Sequence, residues 1–412
     1  MELLAPAGGR EQLEAAVRFG ANAVYGGMPR YGLRQSATNF DPDGLAQAVA
    51  FAHAHGVRFY VTLNILPTDD DLPGLSSCAR LAQDAGVDAA IVSDVGAALA
   101  VREAAPRLDV HISTQANVLN APTALHFHRA LGAKRVILSR ELSLERIAAL
   151  RDALPQSLEL ETFVHGAMCV AYSGRCLLSA ALAGRSGNRG ECAQPCRWRY
   201  HLVEQQRPGE YWPIQEDARG AYLLSAYDLC MLPHLPRLKE AGVSSLKIEG
   251  RMKTAYYVAT VVGAYRRALD LLEAQGEAAF EAAVPQLMQE LDKASHRPFG
   301  TGFFFGTAQP AAGAEGFSQS MEYVGDVVEA TRDGETLVRL KNRFYVGDTL
   351  ELLTPSGPRA FEVVRMRDER TGQDIATAGV AGTLVRLDAA IDAAPGDLLR
   401  GPNRNHCCAA QS

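Results

Sequence analysis

The chain has 412 residues, of which 47% are hydrophobic and 21% charged, and its formal net charge is −6. This composition excludes an intrinsically disordered protein, which would contain fewer apolar residues and more net charge. It also excludes a dedicated basic nucleic-acid-binding module, so any RNA partner has to meet a local basic surface. The length predicts one large domain and at least one smaller one.

The N-terminal stretch Met1–Ala16 lacks the basic start and the apolar run of a secretory signal peptide. No segment approaches the roughly 18 consecutive apolar residues that a membrane helix needs. We therefore expect a cytoplasmic protein without a membrane partner.

The first 250 residues or so repeat one pattern, in which a short apolar run precedes a turn and an amphipathic stretch. The predicted strands are Glu2–Ala5, Ala23–Gly26, Arg58–Leu63, Ala89–Ser93, Val110–Ser113, Arg135–Ser139, Leu158–Val164 and Ser244–Ile248. The predicted helices between them are Glu11–Phe19, Pro42–His55, Pro73–Ala85, Val95–Ala105, Ala121–Leu131 and Ser143–Ala153. Eight strands alternating with helices predict an α/β fold, a (β/α)₈ TIM-like barrel. An open doubly wound sheet is the alternative, but its G-x-G-x-x-G motif does not follow the first strand.

The remainder of the chain departs from this repeat. Residues 165–230 form a cysteine-rich insertion after the seventh strand, which would project from the C-terminal face of the barrel, where barrel enzymes place their active sites. Helices are predicted at Thr254–Leu272 and Ala278–Ser295. The predicted organisation is a barrel over 1–297, a linker over 298–320, a small β-barrel over 321–402 and a disordered tail over 403–412. The strands predicted for the small barrel are Tyr323–Ala330, Thr336–Leu340, Thr349–Leu353, Ala360–Met366 and Gly382–Leu387.

Four of the eight cysteines lie within 28 residues, spaced Cys169-x6-Cys176-x15-Cys192-x3-Cys196. Clustered thiols in a reducing compartment indicate a metal or redox site rather than disulfides. Four thiolates suit a [4Fe–4S] cluster. A zinc site, which usually has two close cysteine pairs, and a coincidence of buried thiols are the alternatives. Cys230 is either a fifth ligand or a buried apolar side chain, and Cys78, Cys407 and Cys408 are expected to be bystanders.

Polar side chains cluster at the C-terminal ends of most predicted strands and would converge on the C-terminal face of a barrel. They are Tyr25, Asn64, Asp94, Ser113, Gln115, Asn117, Ser139, Arg140, Glu141, His165, Lys247, Glu249 and Arg251. Arg140 and Arg251 are predicted to hold an anionic substrate, because a guanidinium binds carboxylates and phosphates through two hydrogen bonds. Arg30 and Arg34, on the loop after the second strand, are alternatives for that role.

Further roles within this set are working hypotheses. Tyr25, Asn64, Gln115 and Asn117 are candidate substrate-binding residues, and His165, Lys247 and Glu249 are candidate catalytic residues. Several of the set have structural alternatives. Asp94 suits a helix N-cap, Arg140 and Glu141 suit an ion pair, and Asn64, Asn117 and His165 suit supporting hydrogen bonds.

The segment Glu161-Thr-Phe-Val-His-Gly-Ala-Met-Cys169, continued by Gly174-Arg-Cys176 and Ser179, resembles the signature of the collagenase-like peptidase family of unassigned mechanism, family U32. The opening Glu2-Leu-Leu-Ala-Pro-Ala-Gly and the segment Ser245-Leu-Lys-Ile-Glu-Gly-Arg251 are similar to it as well. Asn188–Arg199 and Arg207–Tyr211 look most like the family members that are prephenate-dependent tRNA uridine 5-hydroxylases.

The resemblance implies a tRNA-modifying hydroxylase that forms 5-hydroxyuridine at the wobble position. It implies prephenate as co-substrate and a [4Fe–4S] cluster bound by Cys169, Cys176, Cys192 and Cys196. Hydroxylation of rRNA, hydroxylation of a small aromatic or quinone precursor, and a non-catalytic RNA-binding module are the alternatives. Homo-oligomerisation stays open. Peptidase activity is not expected, because a cysteine protease needs one thiolate fixed beside a histidine and not four clustered thiols.

Overall fold

The computed structural model describes residues 1–35, 37–169, 171–198, 227–306, 317–332, 334–388 and 391–404, together with the backbone of 216–217 and 220–221. The chain forms two compact units. The first comprises 1–13, 21–253 and 296–317, and the second comprises 14–20, 254–295 and 318–412.

Eight parallel strands in the first unit form a closed barrel. The strands are Glu2–Pro6, Ala23–Gly27, Arg58–Leu63, Ala89–Val92, Asp109–Ile112, Arg135–Ile137, Glu159–Ala167 and Ser245–Ile248. Each strand pairs with the next, and the eighth pairs with both the seventh and the first, which closes the sheet. The strand residues are nearly all buried, as expected when helices cover the outside of a parallel sheet. The predicted barrel fold is confirmed.

Helices follow the strands as the periodicity predicts. The first six are Arg10–Arg18, Pro42–Ala54, Leu72–Asp84, Val95–Ala104, Ala121–Leu131 and Leu144–Asp152. Polar side chains cap several of them: Asp94 accepts a hydrogen bond from the Ala97 amide at 2.7 Å, which confirms the N-cap interpretation of Asp94. Gly132 has φ +66°, a left-handed conformation that ends a helix with little strain.

The described residues between the seventh and eighth barrel strands include the helix Leu178–Ala183 and the short strands Glu216–Asp217, Gly220–Ala221 and Asp228–Cys230, all within the insertion. The helix Leu235–Glu240 follows the insertion. Asp228–Cys230 pairs antiparallel with the end of the seventh barrel strand, and Phe299–Gly300 pairs with it in turn. Short 3-10 helices lie at Asp69–Asp71, Thr114–Ala116, Gly187–Arg189, Pro195–Arg197 and Leu232–His234.

The second unit contains the helices Ala255–Ala274 and Glu277–Leu291 and a seven-stranded antiparallel sheet. The strands of the sheet are Met321–Arg332, Glu335–Leu340, Thr349–Thr354, Gly357–Glu362, Arg365–Asp368, Leu384–Asp388 and Leu398–Pro402. A separate small pair is formed by Phe344–Tyr345 and Thr377–Ala378. The sequence predicted a small β-barrel; along the described residues, no pairing joins the two outer strands of the sheet.

Inside this unit, Arg400 is fully buried and pairs with Glu290 at 2.6 Å and with Glu351 at 2.6 Å. These contacts tie the second helix to the sheet. The compact units therefore divide at 253 and 295, whereas the sequence suggested a boundary at 297. Arg404, in the predicted tail, pairs with Asp348, and residues 405–412 lie outside the described residues. Within the described ranges, no helix is long and apolar enough to span a membrane.

Candidate active site

A pocket lies at the C-terminal ends of the barrel strands and beneath the cysteine-rich insertion. Three groups of side chains line it. The charged wall consists of Arg34, Arg140, Lys247, Glu249 and Arg251. The neutral wall consists of Thr62, Asn64, Ser113, Thr114 and Gln115. The insertion contributes Cys169, Tyr172, Ser173, Gly174, Cys176 and Cys192.

Glu249 is the single carboxylate of the charged wall and lies between two arginines. Its carboxylate is 3.6 Å from the Arg34 guanidinium and 3.7 Å from that of Arg140. Burial alone would raise the pKa of Glu249, but the positive charges of Arg34 and Arg140 outweigh it and lower the pKa. Both ion pairs are longer than a hydrogen bond. The arginines are therefore held near one carboxylate without being saturated by it.

Arg140 is placed by an aromatic ring and a carbonyl. Its guanidinium lies 3.7 Å above the Phe163 ring, and Nη1 donates to the Ala167 carbonyl at 3.0 Å. Its Nε atom is buried without a hydrogen-bond partner among the residues that the structure describes. A planar guanidinium stacked on a ring presents its edge to a ligand in a fixed orientation.

Lys247 forms the floor of the pocket. Its ammonium group donates to Glu161 at 3.0 Å and lies 4.3 Å from the centre of the Tyr25 ring. Burial lowers the pKa of Lys247, and the charge of Glu161 opposes that shift. Tyr25 is buried in the same place and donates its hydroxyl to the Ile248 carbonyl at 2.8 Å. Lys247 points into the barrel, as the alternation of the eighth strand allows.

Arg251 has more partners than a free anion-binding residue would have. Nη1 donates to the Leu33 carbonyl at 2.7 Å and to the Thr62 hydroxyl at 2.9 Å, and Nη2 donates to Asn39. Arg251 lines the pocket, but most of its donors fix the loop after the second strand. Arg34 lies on that loop with φ +68°, a backbone conformation unusual for a residue other than glycine. Arg30 lies on the same loop and is exposed.

Side-chain amides and hydroxyls of the neutral wall are linked by hydrogen bonds. Asn64 accepts a hydrogen bond from the Leu33 amide at 3.1 Å and donates to Gln115 at 2.7 Å. Ser113 donates to the same Gln115 oxygen at 3.2 Å. These groups are uncharged and largely buried.

The four clustered cysteines lie near one another at the insertion side of the pocket. Cys169, Cys176 and Cys192 line it, and Cys196 is half-buried. Burial raises the pKa of the Cys196 thiol, and the other three cysteines raise it further. The Gln194 amide donates to the Cys192 sulfur at 3.4 Å. Among the described residues, no three His, Cys, Asp or Glu side chains are grouped to hold a single metal ion.

Residues 8–313 match "Peptidase family U32", and residues 319–400 match "Peptidase family U32 C-terminal domain". The chain belongs to peptidase family U32. It is 36% identical to tRNA hydroxylation protein P of Escherichia coli, over 90% of this chain and 89% of that protein. It is 39% identical to the 23S rRNA 5-hydroxycytidine C2501 synthase of Escherichia coli, over 68% of this chain and 41% of that protein. It is also 31% identical to a collagenase of Porphyromonas gingivalis, over 88% of this chain and 83% of that protein.

Three predicted site residues of this U32 chain lie outside the pocket lining. His165 is buried beside Phe299, with ring centres 5.4 Å apart, and burial lowers its pKa to about 3. The seventh strand is irregular between Phe163 and His165, so Lys247 is paired with Phe163 and Ile248 with His165. This shift places His165 beside outward-facing Ile248. Asn117 donates to the Gln115 and Ser173 carbonyls at 2.7 and 2.9 Å, which is the supporting role that the sequence left open.

The third predicted site residue outside the pocket lining is Cys196, which is half-buried near the other three thiols. Cys230 is buried opposite His165 on its short strand, as the apolar alternative for this cysteine expects. Cys407 and Cys408 lie outside the described residues. Arg140 is paired with Glu249, whereas Glu141 accepts a hydrogen bond from Ser139.

Some residues of this U32 site were not among the sequence-based candidates. Phe163 and Thr62 lie inside strands, and their inward direction follows from strand alternation once the register is known. Tyr172 lies in an irregular loop, where periodicity gives no signal.

Proposed function

We propose that this protein hydroxylates RNA, and that its substrate is uridine at the wobble position of tRNA. The observation that carries the proposal is the similarity to tRNA hydroxylation protein P, which extends over nine-tenths of the chain and includes both units. The similarity includes the segments that form the pocket, since residues 8–313 match the family.

The four clustered thiols fit an iron–sulfur cluster. Cys169, Cys176, Cys192 and Cys196 supply four soft donors, and such a cluster takes one thiolate per iron, so its ligands need not converge on one point. The amide that donates to the Cys192 sulfur is the kind of hydrogen bond that adjusts the potential of a bound cluster. When bound, a [4Fe–4S] cluster supplies one-electron chemistry beside the pocket.

The charged wall fits prephenate, a dicarboxylate, as co-substrate. Arg34, Arg140 and Lys247 place three positive charges around one pocket carboxylate, Glu249, and Glu161 partners Lys247 below. A dianion would replace long ion pairs with charge-assisted hydrogen bonds. Lys247 and Glu249 are the proposed catalytic residues because both line the pocket and both carry a titratable group there. His165, held neutral by burial, is assigned a supporting role.

The exposed side chains of the cysteine-rich insertion suit single-stranded RNA. Tyr172 and Trp198 are 48% and 42% exposed, and Arg175 and Arg185 on the same insertion are exposed as well. Unstacked bases pack on aromatic rings, and arginines contact the phosphates. Arg189, on the same insertion, already binds Asp71 through two hydrogen bonds of 2.7 and 2.9 Å and is not assigned a phosphate contact.

A peptidase is the less supported activity. It would need a thiolate beside a basic histidine, whereas burial keeps His165 neutral and His165 does not line the pocket with the cysteines.

Mass spectrometry of nucleosides from cells that lack the gene tests the proposal. Hydroxylated uridine should disappear from tRNA and return when the wild-type chain is supplied. Loss of 5-hydroxycytidine from rRNA instead would move the activity to rRNA. Unchanged tRNA and rRNA nucleosides would contradict RNA hydroxylation and favour a small aromatic substrate or a non-catalytic RNA-binding role.

A further inference from the structure

The neutral wall of the pocket holds a hydrogen-bond donor that the described chain leaves unused. Gln115 is 3% exposed and lies on the turn after the fifth strand. Its Nε2 atom is buried and has no hydrogen-bond partner among the described residues. Buried amide groups are nearly always hydrogen-bonded, so an unused donor on a pocket wall points to a ligand.

The direction of this donor is fixed by its neighbours. The backbone amide of Leu33 can only donate, so the Asn64 atom that it contacts at 3.1 Å is an oxygen. The NH₂ group of Asn64 therefore faces Gln115 and donates to Oε1 at 2.7 Å. The Ser113 hydroxyl donates to the same oxygen at 3.2 Å. Exchanging the NH₂ group and the oxygen of Gln115 would place its NH₂ group against the NH₂ group of Asn64, and the bond between the two amides would be lost.

The residues that contact Gln115 are fixed by further contacts of their own. The Leu33 carbonyl accepts a hydrogen bond from Arg251 at 2.7 Å, so both backbone polar groups of Leu33 are used. On the other side, Gly174 packs on Gln115 with φ +72°, and a Cβ atom there would lie 3.0 Å from the Cβ of Gln115. The amide is thus clamped between the loop that Arg251 holds and the cysteine-rich insertion.

We propose that Gln115 determines which base is accepted, by donating from Nε2 to the O4 carbonyl oxygen of a uracil ring. Cytosine carries an amino donor at position 4, which would face the Gln115 donor and leave both groups unpaired. This inference deepens the proposed function and rests on it. It also accounts for selection of uridine without a charged contact to the base.

The polarity of the two walls separates a base from a dicarboxylate. The arginines follow the second, sixth and eighth strands and Lys247 lies within the eighth, whereas Asn64 and Gln115 follow the third and the fifth. Charged donors bind carboxylates more strongly than neutral ones do, so the acid belongs on the charged wall. An amide distinguishes acceptors from donors on an uncharged ring. Tyr172, exposed at the same pocket, offers a ring on which a base can stack.

The test measures the binding of anticodon stem-loop RNAs to the full chain, purified without oxygen. The target nucleotide is uridine, cytidine or the riboside of 2-pyrimidinone, which has no substituent at position 4. Wild type should bind the uridine RNA about ten- to a hundred-fold more tightly than the cytidine RNA. Gln115→Glu replaces the donor by an acceptor and should reverse this preference. Gln115→Met should abolish it. Gln47→Glu, on the exposed face of the helix Pro42–Ala54, is the matched control and should leave the preference for the uridine RNA unchanged.

Equal binding of the uridine and cytidine RNAs by wild type would overturn the inference. A preference for uridine that survives in both Gln115 variants would overturn it as well. If the variants do not fold, the comparison of RNAs on wild type still tests the inference. Equal affinity of wild type for the 2-pyrimidinone RNA and the uridine RNA would exclude a hydrogen bond to O4. If Gln115→Met binds prephenate more weakly but keeps its preference for the uridine RNA, Gln115 contacts prephenate and does not select the base.

The failure of the proposed function gives a different result. Wild-type cells would then contain no hydroxylated nucleoside that depends on the gene, while the preference for uridine RNA and its loss in Gln115→Glu would stand. Conversely, gene-dependent hydroxyuridine together with equal binding of the two RNAs would remove only the base-reading role.

Discussion

The two ends of the barrel use buried charge in different ways. At the N-terminal end, Arg135 is 1% exposed and binds Glu2 at 2.5 Å, Glu161 at 2.9 Å and Ser245 at 3.2 Å. At the C-terminal end, Glu249 is shared by two arginines at 3.6 and 3.7 Å. There the Arg140 Nε and Gln115 Nε2 atoms have no hydrogen-bond partner among the described residues.

This difference separates a structural site from a binding site. A buried charge network with short bonds on every side holds its own residues in place and leaves little for a ligand to gain. Long ion pairs and unused donors leave free energy for a ligand to recover. Lys247 belongs to both ends, since Glu161 anchors it from below while its ammonium group forms the pocket floor.

The largest expected effect is at the cysteines. Replacing Cys176 by Ala removes one proposed cluster ligand, so protein purified without oxygen should lose its iron and sulfide, and cells that rely on the variant should lose hydroxyuridine from tRNA. Iron and sulfide analysis of the purified protein, with nucleoside mass spectrometry, measures both.

Cys78→Ala is the control and should keep about four irons and four sulfides per chain. One bound zinc without sulfide in wild type would contradict the cluster. Loss of iron in Cys230→Ala would require a different ligand set.

The next effect is on stability. Arg135→Met leaves the carboxylates of Glu2 and Glu161 buried without their main partner, which should lower the free energy of unfolding by about 3–5 kcal/mol. Urea unfolding, followed by a spectroscopic label attached to the barrel unit, measures the change in the free energy of unfolding. Arg365→Met breaks an exposed pair with Asp374 on the C-terminal sheet and should leave the unfolding midpoint unchanged. A similar small effect for Arg135→Met would mean that the network contributes nothing to folding.

A smaller effect is expected on the affinity for prephenate, the proposed dicarboxylate. Arg140→Lys keeps the charge but loses the planar group stacked on Phe163, so prephenate should bind about ten- to a hundred-fold more weakly. Calorimetric titration measures it, with iron content checked in each sample. Arg251→Lys should also weaken binding, through the loop that carries Arg34. Wild-type affinity in both variants would move the acid away from the charged wall.

The smallest effect concerns pH. Burial lowers the pKa of His165 to about 3, and burial lowers that of His111 as well, so both are neutral when folded. The unfolded chain takes up these protons below about pH 6.5, and stability should therefore fall as the pH drops from there. His165 contributes about 1.4 kcal/mol per pH unit, or roughly 2 kcal/mol between pH 6.5 and 5.

This window lies above the pH range in which Glu249 loses its charge. Glu249 has a lowered pKa, so its contribution is lost only at more acidic pH. Urea unfolding of wild type and His165→Gln at pH 5 and 6.5 should give a shallower dependence in the variant. Equal dependence in both would show that His165 does not take up a proton on unfolding.

The barrel could be predicted because each of its elements has a strong local signal. Apolar runs of four to seven residues alternate with amphipathic helices, and glycines such as Gly132 mark where helices end. The strand Leu398–Pro402 was not predicted, because it contains a glycine and a proline and is defined by its two neighbours in the sheet. The grouping of helices 255–274 and 277–291 with the sheet depends on long-range contacts such as Arg400–Glu290.

The pocket could be predicted only in part. Lys247, Glu249 and Arg140 lie at or directly after the C-terminal ends of predicted strands, so a closed barrel brings them together. The position of His165 depends on an irregularity within the seventh strand, which the sequence pattern does not reveal. The role of Arg251 depends on where a long loop folds back, since its partners Leu33 and Asn39 lie more than 200 positions away.

The most direct test of the central claim, that the C-terminal end of the barrel is the active end, uses Arg140→Met in cells that lack the wild-type gene. The variant keeps the N-terminal network intact, so its melting curve and its amount in the cell should match wild type. Nucleoside mass spectrometry of tRNA should then show little or no 5-hydroxyuridine. A normal content of 5-hydroxyuridine at equal protein amount would contradict the account.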